Sequence, residues 1–352
     1  ADMTLIVATL GPGTATADDW RAVLLAGADV LRFTASKSSV EDLAAQAIQV
    51  RATAASMSLD PELVLDLPGS KPRLANTELL DLGAVSTLDL LRDPAPQGAS
   101  PGGPRIGVTG LGPSARLERG DVLLVGDGED ALEVVEVLTD GWRVRPLTTG
   151  TMGPRRGLAW PNESVRNESL TERDLAALRL LPSSPFDAAV ISFVESAETM
   201  MTARRALGPV VEGTPRRLVA KIESRAGILA LDAVAEASDA ILIGRGDLLL
   251  DSGVLDLHQL VDGVLARIGE LPCPVVVGTQ LLTSLQDGWL PHRSELSFVC
   301  DAMSRGVSGL MLAEETAASR EPARAVSLLD ALRGRYSTAS RAPLLGRVER
   351  SC

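Results

Sequence analysis

The sequence predicts an α/β fold: a closed barrel of parallel strands alternating with helices, interrupted once by a small all-β domain. Two observations carry this. Short runs of β-branched and Leu residues alternate with longer amphipathic stretches rich in Ala, Leu, Glu and Arg, the texture of helices packed around a parallel sheet. Between the third and fourth of these runs, that texture gives way to Gly, Pro and brief Val-rich segments.

The candidate strands, in order, are 4–8, 30–33, 62–66, 188–192, 217–222, 240–243, 275–277 and 309–311. With helices between them they form the (β/α)8 arrangement, the TIM barrel, whose chemistry sits at the C-terminal ends of the strands. The polar residues Arg32, Asp66, Lys221, Glu223, Asp247, Thr279 and Glu315 end or follow these runs. Residues 1–73 and 157–340 are assigned to the barrel and 74–156 to the insert, read as a small β-barrel lid. Within the insert, 121–125, 132–137 and 142–146 read as strands, and the Pro/Gly/Ser-rich segment 93–104 as a mobile loop. Residues 341–352 read as a tail.

A chain of 352 residues with 45% hydrophobic and 23% charged residues is long enough to bury a large core. Its formal net charge of -12 argues against nucleic acid or an anionic membrane as partner, because both demand a basic surface. A small anionic substrate held by a local Arg/Lys cluster remains compatible with that charge. Cys273, Cys300 and Cys352 show no CxxC spacing, so neither a zinc site nor a disulfide framework is expected. With no basic leader before the apolar run 3–10 and no span of membrane length, a cytoplasmic protein is expected.

The most informative segment is VAKIESR at 219–225. Side chains on a strand alternate, so Lys221 and Glu223 face the same cavity. The next strand runs into GRGD at 244–247, where glycines admit close backbone approach and Asp247 joins Glu223 as a hard oxygen ligand. Two carboxylates completed by substrate oxygens and water suit Mg2+ or Mn2+. Taken singly, each signal is weak, since a Lys–Glu pair on a barrel strand is about as often a structural ion pair.

Together, these strand ends resemble the pyruvate kinase family over nearly the whole chain. The resemblance rests on Gly11-Pro12, LRFTASK at 31–37, LDLPGSKPR at 65–73, LVGDG at 124–128, GPRRGL at 153–158, VAKIE at 219–223, GRGDL at 244–248, GTQLL at 278–282 and MLAEET at 311–316. It implies phosphoenolpyruvate or pyruvate as substrate, with ADP or ATP as the second. It implies that Lys221 stabilises the enolate oxygen and the phosphoryl in transfer, while Glu223 and Asp247 hold the divalent metal. Thr279 then binds near the substrate carboxylate or relays a proton, and the backbone of Gly246 and Asp247 takes that carboxylate. Arg32, Arg73 and Arg156 face phosphate, Glu315 completes the catalytic set, and Pro12 and Lys37 lie near the nucleotide.

The resemblance has departures. Thr34 and Leu67 stand where the family usually has potassium ligands, leaving Ser36 and Asp66 of that set. Lys71 stands where potassium-dependent members carry Glu; members that need no potassium are similar in having Lys there. A tethered ammonium in place of potassium is therefore expected. Lys37 replaces a family His, and Ala313-Glu314 a Ser-Gly pair. The sequence ends after the eighth helix, so control through the family's C-terminal domain is not expected; a homo-oligomer, a dimer in its simplest form, is.

Two rival readings stay open: a pyruvate-enolate lyase, aldolase or decarboxylase on the same site, and a catalytically silent metabolite-binding regulator. Joint retention of Lys221, Glu223, Asp247 and Thr279 argues against the regulator, because burying charge costs stability unless it is compensated. The remaining polar and aromatic residues have plain expectations: His258 and His292 at the surface, Glu129, Asp130 and Glu133 in a solvated turn, Trp142 and Trp160 packing the insert and its exit.

Overall fold

The computed structural model describes residues 4–36, 38–92, 98–100, 103–112, 115–160, 170–208 and 216–338. Its centre is a closed barrel of parallel strands: β1 Leu5–Thr9, β2 Val30–Thr34, β3 Glu62–Leu67, β4 Ala188–Ile191, β5 Arg217–Ile222, β6 Ala240–Gly244, β7 Val275–Gly278 and β8 Gly309–Leu312. Each strand pairs with its successor, and β8 closes on β1 through Leu5 opposite Gly309. All eight expected runs are strands, with ends displaced by at most one residue.

The period of two along each strand sorts the side chains into two cores. Ile6, Leu31, Phe33, Leu63, Leu65, Ala189, Leu218, Ala220, Ile241, Ile243, Val275, Val277 and Leu310 point outward into the layer shared with the helices. Val7, Val30, Val64, Val190, Val219, Leu242, Val276 and Met311 fill the interior of the barrel. Two residues beyond each interior Val, the same alternation brings Thr9, Arg32, Asp66, Ser192 and Lys221 to the C-terminal end. A charged layer therefore rests on an apolar plug.

The opposite end is braced by carboxylates placed just before a strand. Asp29, Asp187 and Asp239 accept from the backbone N–H groups of Ile6 (2.8 Å), Leu63 (2.8 Å) and Leu218 (2.7 Å). Arg333, Arg51 and Arg204, from the outer helices, pair with them. This face serves cohesion, which leaves the other free for chemistry.

Phe186, fully buried, meets Phe33 edge-on with ring centroids 5.2 Å apart. Phe186→Ala removes a large side chain from the packed layer and is expected to cost about 3–5 kcal/mol. Denaturant unfolding should show that loss as a lower midpoint with an unchanged slope; an unchanged midpoint would contradict the packing.

The inserted domain is a mixed, barrel-like sheet in the order Leu158–Ala159, Val122–Val125, Asp130–Val137, Gly141–Pro146, Leu88–Leu91, Gly103–Thr109 and Arg73–Leu74. The two end strands meet at a bridge between Arg73 and Gly157. Its own core includes Leu88, Leu90, Val125, Val134, Trp142 and Trp160. The sheet thus runs slightly past the expected limits of 74 and 156. The segment 93–104, expected to be a loop, contains the strand Gly98–Ser100, paired antiparallel with Gly103–Thr109. Gly103, at φ +107°, takes a left-handed turn that other residues rarely adopt. Residues 93–97 and 101–102 lie outside the described residues, as does the expected tail 341–352.

Candidate active site

Lys221 ends the inward row of β5 above Val219, with its ammonium 2.8 Å from Glu223 Oε1 and 3.8 Å from Asp66 Oδ2. Asp66, at the top of β3, is further held by Arg32 Nε (2.6 Å) and by the hydroxyl of Ser192 (3.3 Å). Arg32 in turn donates to Thr9 Oγ1 (3.0 Å). Glu223 is buried, and its Oε2 accepts from the N–H of Phe193, whose φ of +56° turns that amide toward it (3.2 Å).

Electrostatics sort these groups. Burial pushes the Glu223 carboxyl up, Lys221 pulls it down and Asp247 pushes it up again, leaving it at about 7. Burial would lower the Lys221 ammonium, but Asp66 and Glu223 outweigh it and hold it above its ordinary value. Burial raises Asp247, yet Lys71, Lys221 and a hydrogen bond from Glu223 keep it below the ordinary carboxylate range. Glu223 is thus a buried carboxyl that ionises less readily than usual despite Lys221 at 2.8 Å, and Asp247 lies beside it.

This donor set fits a hard divalent cation by its chemistry: two adjacent carboxylates, joined by a hydrogen bond and paired with Lys221 and Lys71, at the mouth of the barrel. No group of three or more His, Cys, Asp or Glu with the spacing to hold a metal stands among the described residues, so the remaining ligands would come from substrate and water.

Asp247 lies in the first turn of the helix Arg245–Ser252, which starts directly at Gly244. A methyl on Gly244 would stand 2.8 Å from Glu223 Cγ, and one on Gly246 would stand 2.8 Å from Thr279 Cγ2. Glycine at both positions lets the Asp247 turn close against Glu223 and Thr279. Thr279 and Gln280 follow β7 with φ of +74° and +51°. Such backbone costs about 1–3 kcal/mol per residue and persists only where the surroundings enforce it. Gly278, Thr279 and Gln280 offer their carbonyls to the Arg245 guanidinium, which burial pulls down to about 10.

Several expected residues stand elsewhere. Lys71, expected beside Asp66 and Ser36, instead places its ammonium 2.5 Å from Asp247 Oδ1. Its stem crosses the hinge to the inserted domain, where a methyl on Gly157 would lie 2.5 Å from Lys71 Cε. Asp66 is already engaged by Arg32, Lys221 and Ser192, and Ser36 is exposed beyond β2. Glu315, expected in the catalytic set, is a buried brace. Its Oε1 accepts from the N–H groups of Leu281 (2.7 Å) and Leu282 (3.1 Å) and from the Thr283 hydroxyl (3.2 Å), while its Oε2 accepts from the Ala313 N–H (2.8 Å).

Arg156, expected to face phosphate, is held within the inserted domain by Glu129 at 2.6 Å. Asp130 accepts from the Thr148 hydroxyl and Glu133 pairs with Arg145, so this acidic run is not merely a solvated turn. Arg73 donates to the Arg155 carbonyl, at 3.4 Å. Pro12 is exposed in a short turn, Pro12–Thr14, and Lys37 lies outside the described residues. His258 and His292 are at the surface. Thr9, Ser192 and Arg245 went unnoticed as site residues, although counting by twos along β1 and past the end of β4 leads to the first two.

Fold and site together define a (β/α)8-barrel protein with a carboxylate–lysine centre at the strand ends and an inserted β domain. A family model of the pyruvate kinase barrel domain matches residues 1–326. The chain is 30% identical over 336 residues to pyruvate kinase II of Salmonella typhimurium, covering 93% of this chain and 68% of that protein. It is 29% identical to pyruvate kinase of Aeropyrum pernix, covering 91% and 68% respectively. To pyruvate kinase PKLR of Rattus norvegicus it is 28% identical, covering 94% of this chain and 59% of the rat protein. The chain belongs to the pyruvate kinase family. No helix among the described residues is long and apolar enough to cross a membrane.

Proposed function

We propose that the chain is a divalent-metal-dependent enolpyruvate phosphotransferase, moving a phosphoryl group between phosphoenolpyruvate and ADP. The observation that carries this is the largely enclosed Lys221 ammonium between Glu223 and Asp66, with Asp247 alongside, in a chain of this family. Lys221 neutralises the oxygen that gains charge as the enolate forms, and Arg32, oriented by Asp66 and Thr9, offers its remaining N–H groups to the phosphoryl group. The N–H groups of Gly246 and Asp247, in the first turn of a helix, receive the substrate carboxylate. Thr279, whose side chain rests against Gly246, passes a proton to the methylene carbon of the enolate in this reading. Glu223 and Asp247 would hold Mg2+ or Mn2+, which would supply neutralisation of the negative charge that develops during transfer.

The test is pyruvate formation from phosphoenolpyruvate with and without ADP, beside a screen of aldehydes with pyruvate. ADP-dependent formation is the expected result. Aldehyde condensation without it would assign the enolate to a carbon–carbon lyase instead.

Potassium is expected to be dispensable. Leu67 contributes no side-chain oxygen at the top of β3, both oxygens of Asp66 are engaged, and Lys71 adds an ammonium to the same mouth. Sodium, potassium and tetramethylammonium buffers of equal ionic strength should therefore give similar rates; strong activation by potassium alone would contradict this.

A further inference from the structure

The loop after β7 is gripped from two sides. On one side Arg245 donates to successive carbonyls: Nε to Gly278 (3.3 Å) and Nη2 to Thr279 (2.5 Å) and Gln280 (2.9 Å). Its guanidinium lies over the Phe298 ring, with Cζ 3.9 Å from the centroid. On the other side, Glu315 receives the next N–H groups, those of Leu281 and Leu282. Successive carbonyls converge on one point only if the chain coils tightly, and here it does so through left-handed Thr279 and Gln280. For a β-branched residue that conformation is a genuine outlier, held only by what surrounds it.

The grip bears on the site because Arg245, Gly246 and Asp247 are consecutive. The turn that clamps the loop also provides the surface on which the Thr279 side chain rests, and the carboxylate beside it. We propose that Arg245 is a positioning residue for Thr279: its three-carbonyl bond set fixes the left-handed turn that lays Thr279 against Gly246. Any contribution of Thr279 to turnover then depends on Arg245, an inference that rests on the function proposed above. A lysine does not replace it, since one ammonium lacks the planar fork and the ring stack.

Two readouts test this. Without the clamp, the Leu281 and Leu282 amides should exchange with deuterated water about 10-fold faster or more in Arg245→Gln, the scale of losing charge-assisted hydrogen bonds. In steady-state kinetics Arg245→Gln should lower kcat about 10- to 100-fold with little change in KM. Added to Thr279→Val it should lower kcat by no more than about 3-fold further, because the residues act as one unit. Phe298→Leu keeps the guanidinium but removes its ring, and should produce smaller changes of the same kind if Arg245→Gln fails to fold. Unchanged exchange at Leu281 and Leu282, or losses that multiply in the double variant, would overturn the proposal. A Thr279→Val variant with wild-type kcat would instead remove Thr279 from the proposed function; fast exchange in Arg245→Gln would then leave only a loop brace, and the positioning role would fall with it.

Discussion

Lys221→Met is expected to lose phosphoryl transfer, and exchange of pyruvate methyl protons with deuterated water, by about 100- to 1,000-fold, roughly 3 to 4 kcal/mol of transition-state stabilisation. Lys221 stands on the inward face of β5, with Glu223 at 2.8 Å and Asp66 at 3.8 Å. This charge is fixed before substrate arrives, so it needs no reorganisation when the enolate oxygen becomes negative. Affinity for Mg2+ or Mn2+ should change far less, because removing an ammonium does not weaken the pull of the carboxylates on a cation. The variant does leave Glu223 without its nearest countercharge, and breaking a buried pair typically costs about 3–5 kcal/mol. Its stability should therefore be compared with and without divalent metal. Exchange at the wild-type rate in the folded variant would show that Lys221 does not stabilise the enolate.

Asp247→Asn is expected to lower affinity for Mg2+ or Mn2+ by at least about 100-fold, since even losing a partner that merely orients a ligand costs 10- to 100-fold. One carboxylate alone supplies too few protein ligands for an ion that dehydrates as reluctantly as magnesium. The substitution also removes the charge that holds Lys71 at 2.5 Å. Glu223→Gln should act in the same direction through the other ligand. Calorimetric titration decides the matter: unchanged affinity in both variants would remove the metal assignment.

The barrel was readable because strands buried on both faces are continuous apolar runs, and each of these was found to within a residue. The same period of two pointed Lys221 and Glu223 into one cavity. In the insert, Leu88–Leu91, Gly98–Ser100 and Gly103–Thr109 are not legible as strands, since the first is a brief Leu-rich run and the other two begin in a stretch whose Pro and Gly read as loop. What side chains touch was less legible. Lys71 and Asp247 are 176 positions apart, and only the fold directs that ammonium to Asp247 rather than to Asp66. Glu315 sits in a family motif, which pointed to chemistry, whereas its oxygens are taken up by backbone N–H groups and the Thr283 hydroxyl. Arg156 looked like a phosphate ligand by the same logic, yet Glu129 already holds it.

The most direct test of the central claim is the exchange of pyruvate methyl protons in deuterated water by the wild-type protein, followed by proton NMR with and without Mg2+ or Mn2+. It requires only the enolate centre of Lys221, Glu223 and Asp247, whatever the acceptor. The expected result is metal-dependent loss of the methyl signal, abolished in Lys221→Met. No exchange above the buffer rate, in folded protein saturated with metal and pyruvate, would contradict an enolate-stabilising site in this chain.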